Sequence, residues 1–300
     1  MASSSSSSSP SLSSPPPRRR LIGVSTKMYF SASRTSAYVR SLLSILSSPH
    51  PPGPPLLSAL DIFIIPDHVT LSSVVDQLRS HSHSHNHPDT VLLAGAQDAH
   101  HADAGAYTGC VSPAVLAEVG CRILEIGHAE RRRLFGETDH DAALKAVAAV
   151  RNRMIPLICI GERTRAGGDS RSSSDEDGYS DEAAAQTAMA EVAPQVSAVL
   201  SHPDLPPTAE VILAYEPVWA IGAPSPAPAS HVVAVARRIR ELECVRGRQG
   251  GATTRILYGG SAGPGLFAKL KDGGVDGLFL GRFAHDPEEF YRTIVEVATA

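Results

Sequence analysis

Eight short apolar runs recur along the chain, each followed by a longer stretch that can be helical. The runs are LIGVS (21–25), DIFIIP (61–66), VLLAGA (91–96), RILEIG (122–127), PLICIG (156–161), VILAYEP (211–217), RILYGG (255–260) and GLFLG (277–281). They are continuous rather than alternating, as expected of strands covered on both faces in a parallel sheet. Strand and helix in alternation mean βα units joined by right-handed crossovers. Eight such units in roughly 280 residues predict an α/β fold, a closed (β/α)8 barrel, which typically takes about 250 residues. A doubly wound open sheet is the competing topology. Several runs end in a Gly or in a residue able to do chemistry, which favours the barrel, whose sites lie at the C-terminal strand ends. No G-x-G-x-x-G follows the first run, so the usual dinucleotide fingerprint is missing.

Helix signals support this parsing. Thr138 precedes an Ala/Val-rich run with Asp141 three residues on, a short-armed capping box. Asp286 stands before Pro287 with Glu289 at the third helical position, again a start signal. The barrel is expected as one domain over 21–300. Residues 1–20, rich in Ser, Pro and Arg, read as a disordered tail. Two polar insertions are expected, a His-rich one at 79–89 and a Ser-rich acidic one at 163–182.

Composition narrows the partners. A 42% hydrophobic share suits a sizeable core, and a net charge of -4 gives no reason to expect nucleic acid or an anionic membrane. No apolar run approaches the roughly 18 residues of a membrane helix. Four scattered cysteines (Cys110, Cys121, Cys159, Cys244) do not make a disulfide framework and point to a reducing compartment. The cytoplasm is the default, although an acid-free, Ser-rich basic leader overlaps in composition with organelle transit peptides. His81, His83, His85 and His87 alternate in the polar insertion; imidazoles suit Zn, Cu or Ni, but a polar loop is the reading preferred here, and no metal is assigned.

Candidate chemistry collects at the strand ends. Glu216 closes the sixth run and is followed by Pro217, Trp219, Ile221 and Gly222. A stiff hinge and apolar loop residues suit a lid that keeps a carboxylate dry; a structural ion pair at a barrel rim is the alternative. His128 follows the fourth run, where the N-terminus of a succeeding helix would disfavour the imidazolium. Lys27 follows the first run and suits an anion, or else is a solvated surface lysine. The glycines of YGGSAG (258–263) and FLGRF (279–283), with Ser261, stand where barrels commonly seat a phosphate.

Taken in order, KM at Lys27, GAQDAHHADAGAYTG (95–109), VSPAVLAEVGC (111–121), GHAERRRLFGETD (127–139), CIGE (159–162), YEPVWAIG (215–222) and YGGSA (258–262) resemble the triosephosphate isomerase family from about residue 21 to the end. The resemblance implies a TIM barrel acting without metal or organic cofactor on a sugar phosphate, and a homodimer. It implies Glu216 as catalytic base, His128 as electrophile, Lys27 as the cation that steadies the enediolate and the bound anion, and Glu130 as the acid beside them. Gly222, Ser261 and Gly281 match phosphate-contacting positions. The leading expectation is interconversion of dihydroxyacetone phosphate and glyceraldehyde 3-phosphate, an intramolecular oxidation–reduction shared by glycolysis and gluconeogenesis.

The pattern is also broken in places. Thr26 stands where the family usually has Asn, Ala129 replaces a Ser, and Cys110 replaces an acid. APSPA (223–227) replaces the usual lid hinge with two prolines, and Arg282 replaces a second phosphate-site Gly. Thr26 and Arg282 are therefore expected at the substrate. Together they resemble the divergent branch that acts on four-carbon erythrulose phosphates, the alternative substrate class. A non-catalytic phosphate-binding barrel is the alternative outside enzymes.

Overall fold

The apolar runs form eight strands, β1 (Arg20–Ser25), β2 (Leu60–Ile65), β3 (Leu92–Ala96), β4 (Ile123–Ile126), β5 (Ile155–Ile160), β6 (Val211–Tyr215), β7 (Thr254–Tyr258) and β8 (Gly277–Leu280). Each pairs in parallel with the next, and β8 pairs back onto β1 (Leu21 opposite Gly277), closing the barrel in sequence order. The open-sheet alternative is thereby excluded. The computed structural model describes residues 19–48, 60–85, 92–165, 181–248 and 253–300.

Alternation along each strand splits the core in two. Leu21, Phe63, Ile65, Ile123, Leu157, Cys159, Ile212, Leu257 and Phe279 fill the lumen. Their neighbours, such as Ile22, Ile64, Leu124, Ile126 and Ile158, pack outward on the helices. The two faces are equally apolar, which is why the strands show no alternation in sequence. Phe63 stacks on Phe279 with centroids 5.5 Å apart. Gly23 makes room for it, since a Cβ there would stand 2.1 Å from the Phe63 ring.

Ten helices surround the barrel among the described residues: α1 (Ala32–Leu46), α2 (His68–His85), α3 (Pro113–Val119), α4 (Ala129–Phe135), α5 (Asp139–Arg151), α6 (Asp181–Leu200), α7 (Ala229–Glu241), α8 (Glu243–Arg246), α9 (Phe267–Leu270) and α10 (Pro287–Thr299). The expected caps are present. The Thr138 hydroxyl accepts from Asp141 N–H while the Asp141 carboxylate accepts from Thr138 N–H. Asp286 Oδ1 accepts from the N–H groups of Glu288 and Glu289.

Two expectations are corrected. Arg19 and Arg20 belong to the fold rather than to the tail: Arg20 opens β1, donates to Val297 O at 2.8 Å and lies over the Phe267 ring, and Arg19 pairs with Asp61. Arginine stems cover apolar surface while their heads find acceptors, so a polar run at a barrel's base is no bar to order. Residues 79–85, expected in a polar insertion, continue α2, where Ser82 Oγ donates back to Leu78 O and His81 Nε2 lies 2.6 Å from Ser47 Oγ. The rest of the tail (1–18), residues 86–91 with His87, and 166–180 of the Ser-rich insertion lie outside the described residues. Among the described residues no helix is long and apolar enough to cross a membrane, and no three His, Cys, Asp or Glu side chains gather as metal ligands.

Candidate active site

At the C-terminal rim of the barrel, a cavity of about 1120 Å³ is lined by Lys27, His128, Glu130 and Glu216 and by Gly222, Ser261, Gly281 and Arg282. Ligand pockets commonly run roughly 300–1,000 Å³, so volume alone does not select a three-carbon ligand.

Glu216 follows β6 directly, its N–H donating to Ile160 O at 2.8 Å, and it is only 5% exposed. Burial pushes its carboxyl up to about 8, with the Lys27 charge opposing and Glu130 adding to the rise. Close backbone approach makes this possible. A Cβ on Gly161 would meet Glu216 O at 1.9 Å, and one on Gly259 would meet the carboxylate at 2.5 Å.

His128 is the N-cap of α4. Glu130 N–H donates to its Nδ1 at 3.1 Å, so the neutral ring carries its proton on Nε2. Burial first, then the Lys27 charge, lower its pKa to about 4. Nε2 lies 3.5 Å from Glu216 Oε2 and 3.4 Å from Lys27 Nζ. Two donors and a carboxylate thus face one small space, the arrangement needed to move a proton at a carbon beside a carbonyl.

Lys27 reaches this point through a strained backbone. Its φ is +45°, in the left-handed region that non-glycine residues seldom occupy. The turn is held by Gln97 Nε2 donating to Lys27 O (2.8 Å), by the Thr26 hydroxyl donating to the same oxygen (3.3 Å), and by Lys27 N–H donating to Ser25 Oγ. Burial works against the ammonium, but the Glu130 hydrogen bond (2.8 Å) and the charges of Glu216, Glu130 and Glu125 outweigh it, and its pKa is raised. In Glu130 burial is likewise outweighed, by Lys27, and its pKa is lowered.

The segment after Glu216 lies down over the cavity. Its first turn, Val218–Ala220, is fastened below by Glu162, whose Oε1 accepts from Trp219 Nε1 at 2.9 Å and whose carboxylate also accepts from Tyr215 OH. Its far end is fastened by Tyr258 OH, which accepts from Ala227 N–H, and by the Ser261 hydroxyl, which donates to Ala223 O and Ala220 O. Ser261 therefore spends its hydroxyl on the lid and has its backbone N–H to offer an anion. Gly222 sits at φ +73°, and a Cβ on it would stand 3.7 Å from Arg282 Nη2, so the guanidinium reaches the lid. Thr26 is the exception among the expected substrate residues. It is fully buried, its hydroxyl is taken by Lys27 O, and it does not line the cavity.

Two features escaped the sequence reading. Glu137 is buried and accepts from Gly127 N–H (2.9 Å), Arg131 Nε and Lys145 Nζ, while Asp98 takes the same Lys145 and Arg131. This network pins the loop that carries His128. The second is Glu125, inside β4, which lines the cavity. An acid within an apolar run was its signal, the same one that drew attention to Glu216.

The family model described as triosephosphate isomerase matches residues 20–298. The L-erythrulose-1-phosphate isomerase of Pectobacterium atrosepticum is 41% identical over 279 residues, which cover 93% of this chain and 95% of that protein. Proteins of the same name from Rhizobium etli (34% over 283 residues; 93% and 92% covered) and Mesorhizobium japonicum (38% over 225 residues; 74% and 78% covered) are also similar.

Proposed function

The chain belongs to the triosephosphate isomerase family, and we propose that it isomerises a four-carbon ketose phosphate of the erythrulose 1-phosphate type through an enediolate. The expectation of a three-carbon substrate takes second place, because the similar proteins above carry the four-carbon name and share most of their length with this chain.

In the proposed reaction the Glu216 carboxylate removes the proton from C3. The C2 carbonyl oxygen takes up the developing charge against His128 Nε2–H and the Lys27 ammonium. Passage of the O3 hydroxyl proton to O2 and return of the carbon-bound proton to C2, with the carbonyl formed at C3, complete the shift. A 1-phosphate thus becomes, numbered from the other end, a tetrulose 4-phosphate. No atom is gained or lost, and no electron leaves the substrate. The same steps on dihydroxyacetone phosphate yield the aldose. Backbone N–H groups at Gly222, Ser261 and Gly281, with the Arg282 guanidinium, would seat the phosphate, and the lid keeps water from the enediolate.

The observation that carries the isomerase chemistry, for either chain length, is the 3.5 Å approach of Glu216 Oε2 to a neutral His128 Nε2 in a buried pocket. A phosphate-binding barrel without chemistry has no use for a desolvated base. The test is turnover of L-erythrulose 1-phosphate and dihydroxyacetone phosphate by the purified protein and by Glu216→Gln. Four-carbon turnover that drops by about 10³-fold or more in the variant supports the reading. Turnover of the triose alone would restore the three-carbon alternative, and inertness towards both would leave a binding protein.

A further inference from the structure

The mechanism leaves unused a carboxyl on the barrel's inner wall, that of Glu125. Glu125 shares strand parity with Ile123, a lumen residue, while Leu124 and Ile126 face the helices. It is 4% exposed and lines the cavity. Its Oε2 is buried with no hydrogen-bond partner among the described residues, and its Oε1 has only the weak contact of Cys159 Sγ at 3.9 Å. Buried polar atoms are nearly always partnered. A carboxyl so weakly held, on a residue in the wall of a ligand cavity, is a position for a ligand group to complete, the terminal torsion turning to present the oxygen that is now covered.

The barrel's geometry says which group. The phosphate seat lies on the loops after β6, β7 and β8, and in a ring of eight strands β4 stands opposite β8. A substrate with its phosphate on that seat and its reacting carbons between Glu216 and His128 directs its far end towards β4. A tetrulose 1-phosphate differs from dihydroxyacetone phosphate by a hydroxymethyl group on the carbon that loses its proton, at that far end.

We propose that Glu125 is a specificity-determining residue, its carboxyl hydrogen-bonding the terminal hydroxyl of a four-carbon substrate; the inference rests on the four-carbon reading above. Burial, followed by the charge of Glu216, pushes Glu125 up to about 8. Because the Glu216 charge is among the causes, Glu125 keeps its proton when the base ionises and can donate to that hydroxyl without adding a second charge. A three-carbon substrate lacks the hydroxyl and leaves the carboxyl unpaired, and sites built around a substrate hydroxyl discriminate strongly against analogues without it.

The test compares kcat/KM for L-erythrulose 1-phosphate with that for dihydroxyacetone phosphate in wild type, Glu125→Val and Glu125→Gln. If triose turnover is too slow, the inhibition constant of 2-phosphoglycolate, which lacks the hydroxymethyl group, replaces it as reference. The four-carbon preference should fall by about 30-fold or more in Glu125→Val and largely return in Glu125→Gln, whose amide still donates. A preference unchanged within about threefold, beside normal wild-type tetrulose turnover, overturns this inference alone. A wild type inert towards tetrulose phosphates overturns the four-carbon reading together with it. Should Glu125→Val not fold, the pH profile of Glu125→Gln decides. Wild-type tetrulose turnover should decline as Glu125 ionises, and the decline should vanish in the variant; the same alkaline limb in both refutes the role.

Discussion

Replacing Glu125 with Gln should change the pH dependence of stability in a calculable way. The carboxyl has an ordinary value of 4.5 and is pushed up to about 8 in the fold, by burial and then by Glu216. A carboxyl raised on folding binds more protons folded than unfolded between those two values, so stability falls as pH rises through that window. At about 1.4 kcal/mol per unit, the full window is worth on the order of 5 kcal/mol, of which roughly 3 kcal/mol is lost between pH 5.5 and 8. The amide does not titrate. Urea unfolding at pH 5.5 and at pH 8.5 should therefore show the variant gaining on wild type by roughly 3 kcal/mol at the higher pH. Glu216, raised in the same direction, keeps its own share of the decline in both proteins. If the two stability curves run parallel, Glu125 is ionised throughout and neither the neutral carboxyl nor its donor role holds.

Other outcomes follow from the same geometry. Because the proposed base Glu216 acts only when ionised and is held at about 8, kcat/KM should rise about tenfold per pH unit below 8 and, in Glu125→Gln, which lacks the second titrating carboxyl, level off above; a profile flat from pH 6.5 to 9 in that variant refutes the buried-base account. Arg282→Gly removes the guanidinium beside Gly222 and should raise KM about tenfold or more, an effect that shrinks in high salt; an unchanged KM means the side chain does not meet the phosphate. Glu137→Gln discharges the carboxylate that joins Lys145, Arg131 and Gly127 N–H and should destabilise the chain by about 3 kcal/mol in urea while lowering kcat. Tyr258→Phe strands the Ala227 N–H and should weaken the lowered lid by about 1–3 kcal/mol, read as roughly a ten- to hundredfold loss in kcat/KM for the intact substrate.

The barrel and most of its machinery were open to local reading. Eight apolar runs with intervening helical stretches, the caps at Thr138 and Asp286, and the placement of Lys27, His128 and Glu216 at strand ends are properties of neighbouring residues, and local sterics and hydrogen bonding decide them. What lay beyond that reach depended on long-range packing. Thr26 looked like a substrate residue because it stands where the family usually has an Asn beside the lysine, yet the strained turn at φ +45° draws its hydroxyl onto the Lys27 carbonyl and away from the cavity. Arg19 and Arg20 looked like tail because nothing in their own segment shows that Asp61 and Val297 will be beside them.

Glu125 marks the division most clearly. Its place in an apolar run was visible in the sequence, but a parallel barrel strand is apolar on both faces, so parity alone does not tell lumen from helix layer. Closure of β8 onto β1 settles that, and with it the burial that raises the carboxyl's pKa and leaves its Oε2 without a partner among the described residues. The sequence by itself determined the elements, their order and the chemical groups at their ends. Only the tertiary structure decided which of those groups are dry, which face one another, and which are left for a ligand, because desolvation and pairing are set by residues far apart in the chain.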